Sequence, residues 1–459
     1  MTSCAISTIH YISHYVNVNQ TYDLPFDNIK FIVDIQEALT NDNIVTIECN
    51  IYRESETLKF QNIILESLSK IKCKSNINKT FKINSVQSNT RGIILSSENI
   101  SMLEKFLQQN QFINNLAMNY INIKDGKSLN NLLINNKQIK HVALIAYDNT
   151  YSEIFANVQL ELLKITADLT NSKTYNDMAM LLLFPHIKSI VLCTNIHVTL
   201  WDRPLTTESD AYKSLNDAFT RTKSLVQLKF IIHQIKDVSL TNCFFSSKNK
   251  SIEVLELYSQ YNYQDDDVYE NAYQPIINFI IENNTLRHIK ANCYNIHMAN
   301  ALVFNKSVVK LELDEYEAQY GNIYYFDSIR KLILKNKIII SLSFKNRVHS
   351  EFSHLIKNIY ESLLQNNIIT HLTLSNSEHK SNHILLDVIT TNKIIENVTF
   401  QQSCVDPTEL KLIEQASNNK ADRIQILKDC LILYATHEII PMINIINSYS
   451  EWIDINSLI

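Results

Sequence analysis

The residue types that could do chemistry in this chain of 459 residues are spaced in ways that disfavour most enzymatic sites. Its eight cysteines include no Cys-x-x-Cys pair, and its 14 histidines include no His-Glu-x-x-His motif, so no zinc-binding pattern is present. Cysteines without a pairing pattern favour buried thiols in a reducing compartment. We therefore expect no metal, no catalytic residue and a cytoplasmic location.

Phosphate-binding loops and strained nucleophile turns are excluded by the scarcity of glycine. The three glycines, Gly92, Gly126 and Gly321, lie far apart. Dinucleotide and triphosphate loops need several glycines within a few residues, because the backbone must approach the phosphates closely. A serine nucleophile elbow needs a similar glycine pair. We expect no cofactor, and the net charge of -5 disfavours a nucleic-acid partner.

A repeated pattern runs through the chain and sets its architecture. Nine times an asparagine is followed by apolar residues three, six and eight positions later, as Asn283 is by Leu286, Ile289 and Ala291. The last two apolar residues are two apart, so they face the same side of an extended strand. The asparagines of the pattern are Asn41, Asn110, Asn136, Asn249, Asn283, Asn305, Asn336, Asn366 and Asn392.

A helical segment precedes most of these asparagines. Between Leu355 and Leu364, for example, apolar residues recur at intervals of three and four. Each unit is therefore predicted to contain a helix, an asparagine, a short turn and a strand. Because asparagine tolerates the left-handed region and no glycine stands at this position, we expect each asparagine to end its helix in the left-handed conformation.

Several units keep the apolar pattern without the asparagine. Phe184 and Thr222 stand at the asparagine position of two such units, and Phe81 with Ile83 indicates a third strand. The step of 48 residues between Leu144 and Leu192 predicts one further degenerate unit near Ile165 to Leu169.

The segments 283–291 and 305–313 resemble the ribonuclease-inhibitor class of leucine-rich repeats, whose units of about 20–29 residues pair a strand with a helix. The resemblance covers about residues 27–420. It implies an α/β fold, namely a right-handed leucine-rich-repeat solenoid or horseshoe with parallel strands on the concave face and helices on the convex face. Irregular step lengths, scarce glycine and frequent isoleucine depart from the family, so we expect uneven curvature.

The pattern predicts three regions along the chain. They are an N-terminal helical cap over residues 1–40, leucine-rich repeats over 41–400 and a C-terminal helical cap over 401–459. The first cap is expected to close with a helix over about residues 26–40. The apolar stretch 430–446 contains a histidine, a glutamate and a proline, so we expect buried helices there and no membrane span.

Strand residues that alternate with the core positions would line the concave face, the usual binding surface of this class. The central units place charged and aromatic residues there, whereas the later units place small polar ones. Tyr258 is the expected anchor, because aromatic residues dominate protein recognition. The expected partner-binding residues are Lys229, Glu256, Tyr258, His288, Lys290, Lys310, Glu312 and Asp314.

Two interpretations of this surface stay open. In the first, the chain is a non-enzymatic scaffold that binds a protein partner whose identity the sequence does not give. In the second, Lys229, Glu256, Lys290 and Glu312 form a cross-strand charge ladder with no partner, because adjacent strands lie about 4.8 Å apart. Charge reversal at Glu256 and Lys290 distinguishes the two.

Resemblances to regulatory classes supply further alternatives. Cys404-Val405-Asp406 resembles the Cys-x-Asp motif of bacterial leucine-rich-repeat ubiquitin ligases, but residues 407–459 are too few for the helical catalytic domain of that family. Some relatives of the repeat class act as GTPase activators, for which Arg347 is the candidate residue. The class also includes effectors that intracellular bacteria export into host cells, and the asparagine- and isoleucine-rich composition is typical of AT-rich genomes.

Overall fold

The computed structural model of the protein divides the chain into two compact units, which we call unit 1 (Met1–Ile252) and unit 2 (Glu253–Ile459). In each unit a mainly parallel β-sheet alternates with helices along the chain, as a repeat solenoid does. The residues that the structure describes are 7–13, 17–22, 28–42, 44–51, 57–85, 93–146, 150–168, 172–196, 209–232, 238–246, 248–259, 266–292, 296–313, 323–345, 353–375, 388, 391–392 and 394–401.

Unit 1 is built from strands and helices of uneven length. Its described strands are β1 (Ser7–Ser13), β2 (Asn17–Tyr22), β3 (Ile44–Ile51), β4 (Lys79–Ser85), β5 (Ile93–Leu95), β6 (Ile113–Ile123), β7 (His141–Ala146), β8 (Leu162–Asp168), β9 (Ile190–Ile196) and β10 (Leu225–Ile232). Its described helices are α1 (Asn28–Thr40), α2 (Thr57–Leu68), α3 (Ser97–Gln109), α4 (Gly126–Asn135), α5 (Tyr151–Phe155), α6 (Ser172–Leu182), α7 (Asp210–Arg221) and α8 (Val238–Phe245).

The sheet of unit 1 is parallel except at its N-terminal edge. Its strand order is β2-β1-β3-β4-β6-β7-β8-β9-β10, with β5 beside β6. β1 pairs antiparallel with both β2 and β3, and the following strands pair in parallel. Helix α1 agrees with the helix predicted over residues 26–40, whereas the hairpin of β1 and β2 ahead of it was not predicted.

Unit 2 is more regular, with parallel strands that pair in chain order. Its described strands are β11 (Val254–Ser259), β12 (His288–Ala291), β13 (Lys310–Leu313), β14 (Ser341–Lys345), β15 (His371–Ser375) and β16 (Asn397–Gln401). Its described helices are α9 (Asp266–Glu282), α10 (Ile296–Phe304), α11 (Ile323–Lys335) and α12 (Ser353–Gln365). The predicted C-terminal cap lies outside the described residues.

Alternating burial along the strands gives each sheet one core face. In β12, Ile289 and Ala291 are buried while His288 and Lys290 are half exposed, and β13 repeats this pattern. Helix residues such as Ile280 are also buried, so the core lies between sheet and helices, where each fully buried aliphatic side chain contributes about 1.5–3 kcal/mol. We call the sheet face that carries the alternate strand residues the open face.

Eight of the nine repeat asparagines are buried, and six of their amides donate to a backbone oxygen of the preceding repeat. The side-chain nitrogen of Asn305 donates to the backbone oxygens of Ile280 (2.6 Å) and Asn283 (3.0 Å) in the preceding repeat. Its side-chain oxygen accepts from the N–H groups of Ser307 (2.8 Å) and Val308 (2.7 Å). We call the buried set the ladder asparagines: Asn110, Asn136, Asn249, Asn283, Asn305, Asn336, Asn366 and Asn392.

The same bonds recur along unit 2. Asn336 donates to the backbone oxygen of Leu302 at 2.6 Å, and Asn366 donates to that of Ile333 at 2.7 Å. Each amide therefore closes the turn from helix to strand and ties it to the end of the preceding helix. Asn41, at the first repeat, is exposed and does not belong to this set.

The left-handed conformation expected of the asparagines is wrong where the structure gives their torsions. Asn110 and Asn136 follow α3 and α4 with φ of -126° and -105°. Among the described residues other than glycine, Asn157 alone has a positive φ, at 61°. At Asn110 and Asn136 the N–H group three residues later donates to the backbone oxygen of the asparagine, Ile113 to Asn110 at 3.0 Å and Ile139 to Asn136 at 2.9 Å, so the turn closes without a left-handed residue. The helices still end at the asparagine, as when Asn336 N–H donates to Leu332 at 2.8 Å.

The repeats that were predicted without an asparagine each contain the expected strand. Phe81 and Ile83 are buried in β4, and β8 supplies the strand missing from the 48-residue step, with Ile165 buried. The units that carry Phe184 and Thr222 supply β9 and β10. The apolar pattern therefore places a strand even where the asparagine has been lost.

The N-terminus of the five-residue helix α5 is held by a carboxylate from α6. Asp177, which is buried, accepts hydrogen bonds from the N–H groups of Tyr151 (2.6 Å) and Ser152 (3.0 Å) and from the Ser152 hydroxyl. Tyr151 also donates its phenol hydrogen to the backbone oxygen of Thr166 on β8, at 3.0 Å. This caps a helix that is too short to stabilise itself.

The C-terminus of α5 is held by side chains from the preceding and the following repeat. The Asn130 amide of α4 donates to the backbone oxygens of Ile154 (2.9 Å) and Ala156 (2.7 Å). Nε2 of His186, which follows α6, lies 2.9 Å from the backbone oxygen of Phe155. We call Asp177, Asn130 and His186 the α5 clamp, because together they satisfy backbone groups at both ends of this short helix.

Candidate partner-binding surface

Parallel pairing of β11, β12 and β13 brings the predicted charged residues of unit 2 side by side on the open face. Glu256 stands opposite Lys290, and Lys290 stands opposite Glu312. His288 and Lys310 are opposite each other in the adjacent row. Side chains in register on one face interact, because neighbouring strands are about 4.8 Å apart. Five of the eight predicted binding residues therefore form one contiguous group.

Glu312 is the centre of this group. Its carboxylate oxygens lie 2.6 Å from Nζ of Lys310, 3.9 Å from Nζ of Lys290 and 3.3 Å from Nε2 of His288. We call these four residues the Glu312 cluster. Glu312, His288 and Lys290 are half buried and Lys310 is exposed, so solvent screens the interactions among the first three less than it screens fully exposed pairs.

Burial and charge shift two pKa values in the Glu312 cluster. Burial alone would raise the pKa of Glu312, but the hydrogen bond from Lys310 and the charges of Lys310, His288 and Lys290 outweigh it and lower the pKa. The pKa of His288 is also lowered, chiefly because burial disfavours the imidazolium form, with Glu312 and Glu256 opposing this shift. At neutral pH Glu312 is thus a carboxylate and His288 a neutral imidazole.

Nε2 of His288 is a buried polar atom without a hydrogen-bond partner within the part of the chain that the structure describes. Its 3.3 Å separation from Glu312 is within ion-pair range, but the contact does not have hydrogen-bond geometry. A neutral imidazole makes no ion pair with the carboxylate, so Nε2 has no polar partner there. An unsatisfied buried polar group costs about 1–3 kcal/mol, so a partner group that formed a hydrogen bond with Nε2 would stabilise the complex.

The other three predicted binding residues, Tyr258, Lys229 and Asp314, are not part of this contiguous group. Tyr258 is half buried on β11, two residues after Glu256 and therefore on the same face. Lys229 is half buried on β10, which belongs to unit 1. Asp314 lies outside the described residues. The predicted charge ladder is thus in register from Glu256 to Glu312 within unit 2.

The later strands of unit 2 carry a surface of small polar groups, as the sequence predicts. Ser343 of β14 and Thr373 of β15 are in register and half buried. His371 lies with Nδ1 2.6 Å from the Thr370 hydroxyl and Nε2 3.2 Å from the side-chain nitrogen of Asn397. Both imidazole nitrogens are thus occupied, unlike Nε2 of His288 in the Glu312 cluster.

The open face of unit 1 also carries polar pairs, which the sequence reasoning missed. Nζ of Lys82 lies 2.6 Å from the Glu48 carboxylate across β3 and β4, and the amide of Asn119 donates to that of Asn84 at 2.7 Å. Each of these residues alternates with a buried strand residue. The same alternation rule would have found them once β4 was accepted as a strand.

The chemistry-bearing groups of the described residues do not form a recognisable reactive site. No group of three or more histidine, cysteine or acidic residues there could hold a metal ion. Cys49, Cys193 and Cys243 are buried, and burial raises the pKa of the Cys49 thiol to about 12. Arg347 and the segment 404–406 lie outside the described residues. None of the described helices has the length and apolar character needed to cross a membrane.

The sequence matches no protein-family model and no curated protein. Solved structures do match it, and one of them is leiomodin-1 actin-binding site 2. That match has 16% sequence identity and a TM-score of 0.30, and it covers 36% of this chain and 97% of that chain. A similarity of this size carries no functional argument, so the function is argued from the surface itself.

Proposed function

We propose that this protein is a non-enzymatic binding scaffold, a leucine-rich-repeat solenoid of the ribonuclease-inhibitor class, which holds a protein partner on the open face of unit 2. The single observation that carries the proposal is the Glu312 cluster, a charged group centred on a half-buried carboxylate. Repeating helix–asparagine–strand units supply the extended sheet on which such a surface is displayed.

The cluster suits recognition because its charges are held in place before a partner arrives. Glu312 restrains Lys290 and Lys310, so less side-chain entropy is lost on binding than for unrestrained lysines. His288 adds a nitrogen that a donor or acceptor from the partner would satisfy. Tyr258 supplies the aromatic anchor expected of an interface centre. A partner with both charge signs along an extended segment fits this mixed surface.

The bacterial-effector interpretation of the composition supports a proposal about the source of the partner. In that interpretation the protein is exported from an intracellular bacterium and acts on a host protein. A lysate of eukaryotic cells is therefore the first place to search, with the lysate of the source organism as the second.

The test is affinity capture from eukaryotic lysate with mass-spectrometric identification. Wild-type protein is compared with the Glu256→Lys/Lys290→Glu/Tyr258→Ala variant. The charge swap keeps opposite charges in register across β11 and β12 while it reverses the pattern that a partner meets. The matched control is Lys357→Glu/Glu361→Lys, which swaps an ion pair of 3.7 Å on α12.

The proposal expects a partner that the wild type and the α12 control retain and the open-face variant loses. The affinity loss should be at least tenfold, since truncated interface anchors cost more than about 1.4 kcal/mol. Retention of every captured protein by the open-face variant would remove this surface as the binding site. Circular dichroism of each variant verifies that the fold is intact.

A further inference from the structure

Exposed apolar residues line the C-terminal ends of the helices in unit 2. Ile281, at the end of α9, is 41% exposed, Phe304, at the end of α10, is 67% exposed, and Leu364, at the end of α12, is 43% exposed. Each stands one or two residues before a ladder asparagine. Exposed apolar side chains are ordinary when they are scattered, but here each of them stands at the C-terminal end of a helix.

The ladder bonds show that these helix ends are neighbours. Asn305 donates to Ile280, the residue before Ile281, and Asn336 and Asn366 donate to the ends of α10 and α11 in turn. Helices packed side by side are separated by about 8–10 Å. The apolar side chains therefore lie along one edge of unit 2, with about one helix width between Ile281 and Phe304 and about two between Phe304 and Leu364, where α11 intervenes.

Lysines flank the same asparagines. Lys306 and Lys337 directly follow ladder asparagines, Lys335 directly precedes one, and all three are exposed. Glu282 is the one acidic residue among the described positions within two residues of the ladder asparagines of unit 2. We call Ile281, Phe304, Leu364, Lys306, Lys335 and Lys337 the helix-end row.

The lysines of the row differ from the cations on the helix surfaces. Arg330 of α11 lies 3.5 Å from Asp327, and Lys357 of α12 lies 3.7 Å from Glu361. None of the three lysines of the row makes an ion pair within the ranges that the structure describes. The edge thus combines unneutralised positive charge with the most exposed phenylalanine of those ranges.

We propose that the helix-end row docks unit 2 on an anionic lipid surface. Phe304, Ile281 and Leu364 would enter the boundary between headgroups and acyl chains, and the lysines would meet the lipid phosphates with their alkyl stems along the apolar layer. Binding then combines an apolar and an electrostatic contribution, which stable peripheral attachment requires.

The spacing of the row favours a lipid surface over an acidic protein segment. One apolar side chain projects from each of three helix ends, without gathering in a pocket. A continuous apolar layer accepts all of them at once, whereas a single acidic peptide would have to cross four helix ends to reach the same residues. An acidic protein is the competing outcome of the test.

The test is co-sedimentation of the full chain with vesicles. Vesicles of phosphatidylcholine alone are compared with vesicles that also contain phosphatidylserine, at low and high salt. The proposal expects binding to the anionic vesicles that weakens with salt and is much weaker on phosphatidylcholine alone. Lack of sedimentation with anionic vesicles would overturn it.

Two variants and two matched controls locate the binding surface. Lys306→Gln/Lys335→Gln/Lys337→Gln should weaken binding about a hundredfold, at about fivefold for each lysine, and Phe304→Ser should weaken it about tenfold. Met180→Ser and Lys105→Gln change an exposed apolar residue and an exposed lysine on helices of unit 1, and should have no effect.

The outcomes separate the lipid from the other candidates. Equal vesicle binding by wild type and both row variants would exclude the row as the lipid site. Capture of an acidic protein that depends on the row, without vesicle binding, would replace the lipid proposal by a protein interface. The proposed partner on the open face is unaffected by either result, because the row and the Glu312 cluster share no residue.

Discussion

Unit 2 and the stretch of unit 1 from α5 to β10 use different side chains to satisfy the backbone groups at their helix ends. In unit 2, Asn305, Asn336 and Asn366 make nearly identical bonds between consecutive repeats. In unit 1, the positions of Phe184 and Thr222 lack the asparagine, and the α5 clamp supplies donors and an acceptor from other positions. The repeat therefore needs satisfied helix-end carbonyls and turn N–H groups, and asparagine is one way to satisfy them.

Aromatic packing accompanies the loss of the ladder around β10. Phe219 and Phe244 meet edge to face with ring centroids 4.3 Å apart, and Phe230 contacts Phe244 and Phe245 at 5.3 Å each. Such pairs contribute about 0.5–1.5 kcal/mol beyond burial. The irregular stretch thus relies on apolar contacts and dispersed hydrogen bonds, whereas unit 2 concentrates its polar bonds in one residue per repeat.

The largest expected effect comes from removing a ladder asparagine. Asn305→Ala should lower the free energy of unfolding of unit 2 by about 4 kcal/mol, because two carbonyls and two N–H groups lose their partner at a residue that is 2% exposed. Urea denaturation measures the loss, and amide hydrogen exchange at Val308 localises it. Asn284→Ala, at an exposed neighbouring position, is the control and should change stability little. Equal effects of the two would contradict the ladder.

The second effect tests the α5 clamp at its carboxylate. Asp177→Ala should lower the free energy of unfolding by about 2–3 kcal/mol, since the N–H groups of Tyr151 and Ser152 become buried donors without an acceptor. Faster hydrogen exchange at these two amides is the direct measurement. The exposed Asp217→Ala variant, which removes an ion pair with Arg221, serves as the control. Unchanged exchange in Asp177→Ala would mean that α5 does not need the cap.

The third prediction tests whether glutamine can replace His186 as the hydrogen-bond donor to the backbone oxygen of Phe155. His186→Leu should destabilise unit 1 by about 1 kcal/mol, because the backbone oxygen of Phe155 loses its donor. His186→Gln keeps an N–H group at a similar reach and should recover most of that loss. Thermal denaturation of the two variants side by side gives the comparison. Identical midpoints would show that the hydrogen bond contributes nothing.

The smallest effect is the pH dependence of the Glu312 cluster. The pKa values of Glu312 and His288 are both lowered on folding, so the unfolded chain binds more protons and stability falls as pH falls. The decline should begin near pH 6.5, the ordinary pKa of histidine, and steepen below pH 4.5, the ordinary pKa of glutamate. Glu312→Gln should remove the lower step and cost about 1 kcal/mol or less at neutral pH. Urea midpoints across this range measure both, and an unchanged profile in the variant would contradict the assignment.

The sequence was a reliable guide wherever the pattern is local. Apolar residues two apart predicted β12 and β13, and the same rule located β4, β9 and β10 in repeats whose asparagine position holds another residue. The order of the rows on the open face followed from the same alternation, so Glu256, Lys290 and Glu312 were placed correctly in register. Strand alternation depends on the backbone alone, and this is why it could be read without the fold.

The sequence was a poor guide to the hydrogen bonds between repeats. It predicted a left-handed asparagine, but the amide instead reaches a carbonyl 25 residues away in the case of Asn305 and Ile280. It did not predict that Asp177, Asn130 and His186 would converge on α5. These partners belong to neighbouring repeats. Their distances depend on how the helices pack, which no local sequence pattern records.

By itself the sequence determined the repeat, the alternation of helix and strand, and the side chains that each strand turns to the open face. Those properties arise from residue periodicity and from the apolar side chains that must be buried. Only the tertiary structure decided that the asparagine amides are buried bridges and that Glu312 gathers Lys290, Lys310 and His288 around one carboxylate. It did so because parallel packing brings groups from different repeats together, as it brings His288 and Lys290 of β12 to Glu312 of β13.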